Sequence, residues 1–149
     1  MIGLLQRVSR ASVDIDGKQI AAIGRGLLVF IGVERGDSEV HSDRLLERIL
    51  AYRVFPDATG RMNRDLQEIG GGLLLVPQFT LPADTHKGNR PSFTPAAQPE
   101  QGKYLFTHLY HQAKRAHADT QSGLFGAEMQ VSLVNDGPVT FWLRVPTDA

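Results

Sequence analysis

The chain contains no cysteine. Disulfides, thiol nucleophiles and thiolate zinc sites are therefore excluded together. It also lacks an excess of either charge, because sixteen lysines and arginines balance sixteen aspartates and glutamates. A protein that grips a long duplex usually carries a basic excess, since phosphate contacts supply much of the affinity. The balance argues against broad duplex binding but leaves room for gripping one RNA end. No stretch approaches the ~20 apolar residues of a membrane span. Residues 1–8 hold no apolar run of signal-peptide length. Together these absences predict a cytoplasmic protein with no membrane association. Blocks of like charge, internal repeats and low-complexity segments are missing too.

Familiar catalytic signatures are equally scarce. The chain has no G-x-S-x-G elbow, no H-E-x-x-H and no phosphate-binding loop. Gly70-Gly71-Gly72 is followed by no Lys-Ser/Thr, so it reads as a strand entry. His108 and His111 are three apart on an expected helix, but no third ligand accompanies them, and they read as solvent-facing. His41, His86 and His117 stand alone and read as exposed. Asp14 and Asp16 fit a turn, and Asp43 and Glu47 fit a polar helix face. No metal and no cofactor are expected.

What is present is enough apolar residue, 42% of 149, for one domain with a real core over residues 1–149. Ala11, Val13 and Ile15 alternate with Ser12 and Asp14 at strand period. Asp16-Gly17 reads as a hairpin turn, with a return strand at residues 19–23. Residues 27–33 and 73–76 are continuous apolar runs, as in strands covered on both faces. Gly36-Asp37-Ser38 offers a helix cap, and Leu45, Leu46, Ile49 and Leu50 follow at helical spacing to about residue 52. A second helix is predicted over residues 100–117. Between them, residues 82–99 form a long loop rich in proline and glycine. At the end, Asn135-Asp136-Gly137-Pro138 reads as a hairpin turn between residues 129–134 and 139–145. The pattern predicts an α+β fold, with two or three helices packed on a curved, barrel-like mixed sheet.

Three positions stand out chemically. Arg7 shares strand parity with Ala11 and Val13. It is either buried with partners for its five donors, or turned to solvent by a bulge. Pro77 interrupts an apolar strand and so marks a strand end. Backbone amides at Gln78-Phe79-Thr80 would then lack ladder partners and could serve a ligand.

The paired motifs Gln78-Phe79-Thr80-Leu81 and Asn135-Asp136-Gly137-Pro138-Val139-Thr140 resemble the two signatures of D-aminoacyl-tRNA deacylases. Leu5-Gln6-Arg7-Val8, Gly26-Leu27-Leu28-Val29, Arg90-Pro91-Ser92-Phe93 and Met129-Gln130-Val131-Ser132-Leu133-Val134 fit the same pattern, which covers nearly the whole chain. The resemblance implies a homodimer that hydrolyses the ester between a D-amino acid and the 3′ acceptor end of tRNA. It implies that Gly137 and Pro138 form a Gly-cisPro element that enters the partner's pocket. There its carbonyls exclude the side chain of an L-amino acid and leave glycine poorly rejected. Arg7 would hold that element, and Phe125 and Met129 would line the same region. The catalytic segment would be Gln78, Phe79 and Thr80, with the backbone amides of Phe79 and Thr80 stabilising an oxyanion. The tRNA's own 2′-hydroxyl would help activate water. Thr80 would position rather than attack, since no base accompanies it. Lys87 and Arg90 would contact acceptor-end phosphates.

One position departs from the pattern. The family motif opens with serine where this chain has Pro77, which offers neither an amide donor nor a hydroxyl. A related family acting on L-alanyl-tRNA carries Pro-Gln here, followed by alanine. Two further readings stay open: a deacylase of relaxed chirality, and a non-catalytic module binding nucleic acid or a partner.

Overall fold

The N-terminal alternation folds into one long strand around which a computed structural model, describing residues 1–148, is arranged. Strand β1 (Ile2–Ile15) turns through Asp16 and Gly17, both at positive φ, into β2 (Lys18–Ile23). Next come β3 (Gly26–Gly32), α1 (Glu39–Ala51), β4 (Phe55–Pro56), β5 (Met62–Arg64), α2 (Leu66–Ile69) and β6 (Gly72–Pro77). The chain closes with α3 (Pro99–Ala116), β7 (Thr120–Ser122) and β8 (Gln130–Arg144). The main sheet runs β2-β1-β3-β6-β7, with β8 on the other edge of β1, and β4 and β5 form a small second sheet. β3, β6 and β7 are parallel neighbours; the other pairings are antiparallel. This is the expected mixed, curled, nearly barrel-like sheet, with three helices.

The apolar runs fill both faces. Leu5, Leu27, Val29, Leu73 and Leu75 point to one side, against Leu45 and Ile49 of α1 and Leu105 and Leu109 of α3. Val8, Leu28, Leu74 and Val76 point to the other, where Ala11, Val13, Ala21 and Ile23 close the curl. The start of the β3–β6 pair depends on glycine. A Cβ on Gly26 would fall 1.9 Å from the carbonyl oxygen of Gly72.

Two expectations about strands are corrected. Asn135-Asp136-Gly137-Pro138 does not reverse the chain. β8 is one strand paired to β1 from Ile2↔Arg144 to Asp14↔Gln130, and the four residues Asp136, Gly137, Pro138 and Val139 bulge out between Gln6↔Thr140 and Val8↔Asn135. The parity argument for Arg7 also fails. The register shifts between Val8 and Arg10, so Val8, Ala11 and Val13 share one core while Leu5 belongs to the other. Arg7 therefore faces the helix side.

Two histidines also differ from expectation. His41 is buried; its Nδ1 accepts from the Ser38 amide at 2.9 Å, and its Nε2 lies 3.1 Å from the Thr147 carbonyl. It occupies the third position of α1, where it caps the helix start. His117 is half-buried, with Nε2 2.6 Å from the Gly71 carbonyl oxygen. His108 is bracketed by Asp43 and Glu39 across the α1–α3 contact. His86 and His111 are exposed or partly so.

A buried charge cluster joins the first and last residues of the sheet. The Met1 ammonium donates to Glu34 Oε2 and Asp37 Oδ1, each at 3.0 Å, and to the Val145 carbonyl at 2.7 Å. Arg144 pairs with Glu34 at 3.0 Å. Burial acts to raise the Glu34 pKa, but hydrogen bonds and charge from Arg144 and the ammonium outweigh it and hold the carboxyl below its ordinary 4.5. A depressed folded pKa gives stability that is present above pH 4.5 and lost as pH falls through the lowered value. Glu34→Gln is expected to cost about 1–3 kcal/mol at neutral pH. It should also flatten the acid limb of the stability profile in thermal melts taken down to about pH 3. An unchanged acid limb would contradict this assignment.

Candidate active site

Where β6 ends at Pro77, its neighbours end as well. β7 pairs only as far as Leu75↔Ser122, and β3 as far as Ile31↔Pro77. Gln78 still donates its amide to the Ile31 carbonyl at 2.8 Å, and the chain then turns, with Leu81 N donating to Gln78 O. Among the described residues the amides of Phe79 and Thr80, between those two, donate to no protein acceptor. The Gln78 side-chain amide donates to the Thr80 hydroxyl. Thr80 is exposed, and among the described residues no basic side chain or carboxylate hydrogen-bonds its Oγ1.

These residues edge a cleft of about 610 Å³. Ile31, Pro77, Gln78 and Phe79 form one side, Phe125 and Met129 another, and Gly102 and Phe106 of α3 the back. The lining is mostly apolar, with Arg35 and Glu128 as the charged groups on it. Of the expected site residues, Gln78, Phe79, Phe125 and Met129 meet here, and Thr80 adjoins them in sequence. Among the described residues no cluster of three or more histidine, aspartate or glutamate side chains could hold a metal ion.

Arg7, Gly137 and Pro138 lie elsewhere. Arg7 pairs with Leu27, at the start of β3, whereas Pro77 pairs with Ile31 near its end. At roughly 3.3 Å per strand residue, the cleft and the bulge are roughly 13 Å apart along the strands, with a further separation across them. The bulge itself is well braced. Arg7, only 14% exposed, donates from Nε to the Asp136 carbonyl at 2.9 Å and from Nη1 to the Val54 carbonyl at 2.7 Å. The Asn135 side chain closes the base, accepting from Val139 N at 2.7 Å and donating to Thr140 Oγ1 at 2.8 Å. The Gly137-Pro138 bond is cis, and both residues are exposed. The first half of the Arg7 alternative thus holds: the side chain is largely buried with partners, one on the bulge of β8 and one at Val54, and it is not turned to solvent.

The long loop is ordered. Asp84 and Ser92 exchange backbone hydrogen bonds at 2.8 and 2.9 Å, so residues 84–92 form a finger. Lys87 and Arg90 stand exposed on it, and among the described residues neither has an ion pair. Phe93 follows the finger and packs on Phe79. Sequence reasoning named Phe93 only as part of a motif and missed Arg35, Phe106 and Glu128. Phe93 carried one usable signal, an aromatic residue between polar positions in a proline-rich loop. The other three had none, because tertiary contacts alone bring them to the cleft.

An apolar cleft edged by a main-chain amide without a protein acceptor is a place where the carbonyl of an acyl group can be held. The comparisons make this particular. The family model for D-Tyr-tRNA(Tyr) deacylase matches residues 4–144, and the chain belongs to that family. The D-aminoacyl-tRNA deacylase of Thioalkalivibrio sulfidiphilus is 63% identical over 146 residues, covering 98% of both chains. That of Alkalilimnicola ehrlichii is 59% identical, covering 100% of this chain and 99% of its own. A solved structure described as a c-Myc DNA unwinding element binding protein has a TM-score of 0.94 at 38% identity, covering 98% of this chain and 99% of its own. A probable eukaryotic D-amino acid tRNA deacylase, at 17% identity and a TM-score of 0.83, covers 95% of this chain and 97% of its own and shares the fold.

Proposed function

We propose that the protein hydrolyses the ester of D-aminoacyl-tRNA, and of glycyl-tRNA, and rejects L-amino acids. By family it is a hydrolase acting on aminoacyl-tRNA. The observation that carries the finer reading is the pair of free amides at Phe79, on the cleft wall, and at Thr80 next to it. Water adds to the ester carbonyl, and the two amides hold the oxygen that becomes negative. The 2′-hydroxyl of the terminal ribose assists by taking a proton from the water as it gives its own to the departing 3′ oxygen. The C–O bond to the ribose then breaks, giving free tRNA and the amino acid. An aminoacyl ester is reactive enough that no protein nucleophile is needed.

Chiral rejection needs a second element, and the exposed, braced Gly137-Pro138 bulge supplies the candidate. It lies too far from the cleft of its own chain to act there, which favours a homodimer in which each bulge enters the partner's cleft. The outer edge of β8 supports this, since among the described residues the strand pairs with β1 alone and leaves Val134 and Trp142 exposed. Equilibrium sedimentation is expected to give twice the chain mass. Pro77 removes an amide and a hydroxyl from the cleft edge but leaves the Gly137-Pro138 bulge intact, so chirality is expected to hold.

Thr80 provides a direct test. Thr80→Ala keeps the amide and is expected to lower kcat by less than about tenfold, whereas loss of a nucleophile costs on the order of 10⁶-fold. Abolished single-turnover hydrolysis would show that the hydroxyl attacks. The alternative, a binding module, is favoured by the structural relative described as a DNA-element binding protein. It predicts affinity for RNA without turnover.

A further inference from the structure

The mouth of the cleft carries a feature that the ester chemistry does not use. Phe79 and Phe93 pack together, with ring centroids 5.5 Å apart and planes tilted by 38°, yet they are 65% and 44% exposed. Single exposed apolar residues are ordinary on a protein surface; two aromatics in contact form a patch. The patch is held from both sides. Phe79 is fixed by the turn at the end of β6, and Phe93 by the Asp84–Ser92 backbone pair just before it. Cations lie on the finger that leads into it and on the cleft wall. Lys87 and Arg90 are exposed on the finger, and Arg35 is tied to the Thr94 carbonyl at 3.0 Å on the cleft wall.

Aromatic rings beside a cationic track are how proteins hold single-stranded nucleic acid: the rings stack on bases, and the cations follow phosphates. The chain is neutral overall, and against Lys87, Arg90 and Arg35 stand Asp84 on the finger and Glu128 on the cleft lining, so a local positive excess beside a stacking surface favours an anionic, aromatic occupant over an apolar one. We propose that the Phe93–Phe79 pair and the finger bind the unpaired nucleotides just before the terminal adenosine of tRNA, with a base stacked on Phe93 and phosphates near Lys87 and Arg90. This rests on the aminoacyl-tRNA reading and adds to it. The cleft takes the terminal aminoacyl-adenosine, and the platform takes the strand leaving it. The phenylalanine that lends its amide to the ester thus lends its ring to the RNA.

The experiment compares D-tyrosyl-tRNA with D-tyrosyl-adenosine, which carries the same ester and no upstream nucleotides. The readout is the ratio of the two KM values for the wild type, Phe93→Ala and Phe93→Trp. Phe93→Ala is expected to raise KM for the tRNA relative to the nucleoside by about 5- to 100-fold, the range for losing one base–aromatic stack. Phe93→Trp should restore the ratio. An equal loss on both substrates would overturn the proposal, because the ring would then be supporting the cleft. An unchanged ratio with weakened self-association in sedimentation would also overturn it, by making the patch a subunit contact. A wild type that hydrolyses neither substrate would overturn the functional reading beneath it.

Discussion

Gly137→Ala is expected to lower kcat/KM on D-tyrosyl-tRNA about 100-fold, the scale on which a misplacement of about 1 Å acts on catalysis. The argument begins with the backbone. Gly137 has φ of 146°, a region closed to L side chains, and an added Cβ would lie 2.6 Å from Val139 Cγ2 and 2.8 Å from Val139 N. Residues 136–139 must therefore shift. The shift is confined, because Asn135 and Thr140 pin the base of the bulge and β8 stays paired to β1 on both sides. Folding should survive with a cost of about 1–3 kcal/mol. Activity should not, since the exposed tip is what the proposed partner cleft receives. If the site were complete within one chain, the bulge would be too remote to matter, and kcat/KM would stay near wild type. Single-turnover hydrolysis, with thermal melts on the same samples, separates these outcomes.

Arg7→Met is the second large effect. It nearly keeps the volume of the side chain and removes its donors. The Val54 carbonyl belongs to a buried residue and loses a charge-assisted partner, which costs about 1–3 kcal/mol of stability. The Asp136 carbonyl loses the bond that fixes the flank of the bulge. Activity is expected to fall by at least about tenfold, in the same direction as Gly137→Ala. The two changes should not add in a double mutant, because they disturb one element. Arg7→Lys should recover little. An ammonium is a point donor and cannot span the Asp136 and Val54 carbonyls as the guanidinium fork does. Additive losses in the double mutant would show that Arg7 and Gly137 act separately.

Which parts of this were readable from sequence follows from where the information lies. The apolar runs of β3 and β6, the Asp16-Gly17 turn and the helical spacing of Leu45, Leu46, Ile49 and Leu50 are local patterns, and they folded as expected. Pro77 marked the end of β6 and the free amides of Phe79 and Thr80 beyond it, but the Gln78 amide, expected to be free as well, still donates to Ile31. The β8 error was an error of context. Asn-Asp-Gly-Pro favours a turn by its own chemistry, but fourteen residues of β1 offer pairing on both sides of it, and the ladder keeps the strand running. Arg7 was misassigned in parity because a register shift is invisible in a single strand. β7, which is Thr120-Gln121-Ser122, has no apolar signature and exists because β6 needs a neighbour. Helix α2 did carry a signal that was passed over. Asp65 and Glu68 form a capping box, with reciprocal bonds of 2.9 and 3.1 Å. His41 was hidden because its burial depends on Thr147, far away in sequence. The cleft itself came through the Gln78-Phe79-Thr80 motif with Phe125 and Met129, whereas its back wall in α3 and the Phe93 platform are products of folding.

The most direct test of the account is a hydrolysis time course on D-tyrosyl-tRNA, L-tyrosyl-tRNA and glycyl-tRNA with the wild-type protein. The account predicts rapid release from the D-ester and the glycyl ester, with the L-ester intact. Release from both enantiomers would contradict exclusion by the Gly137-Pro138 carbonyls, and release from none would contradict the assignment of catalysis to the free amides of Phe79 and Thr80.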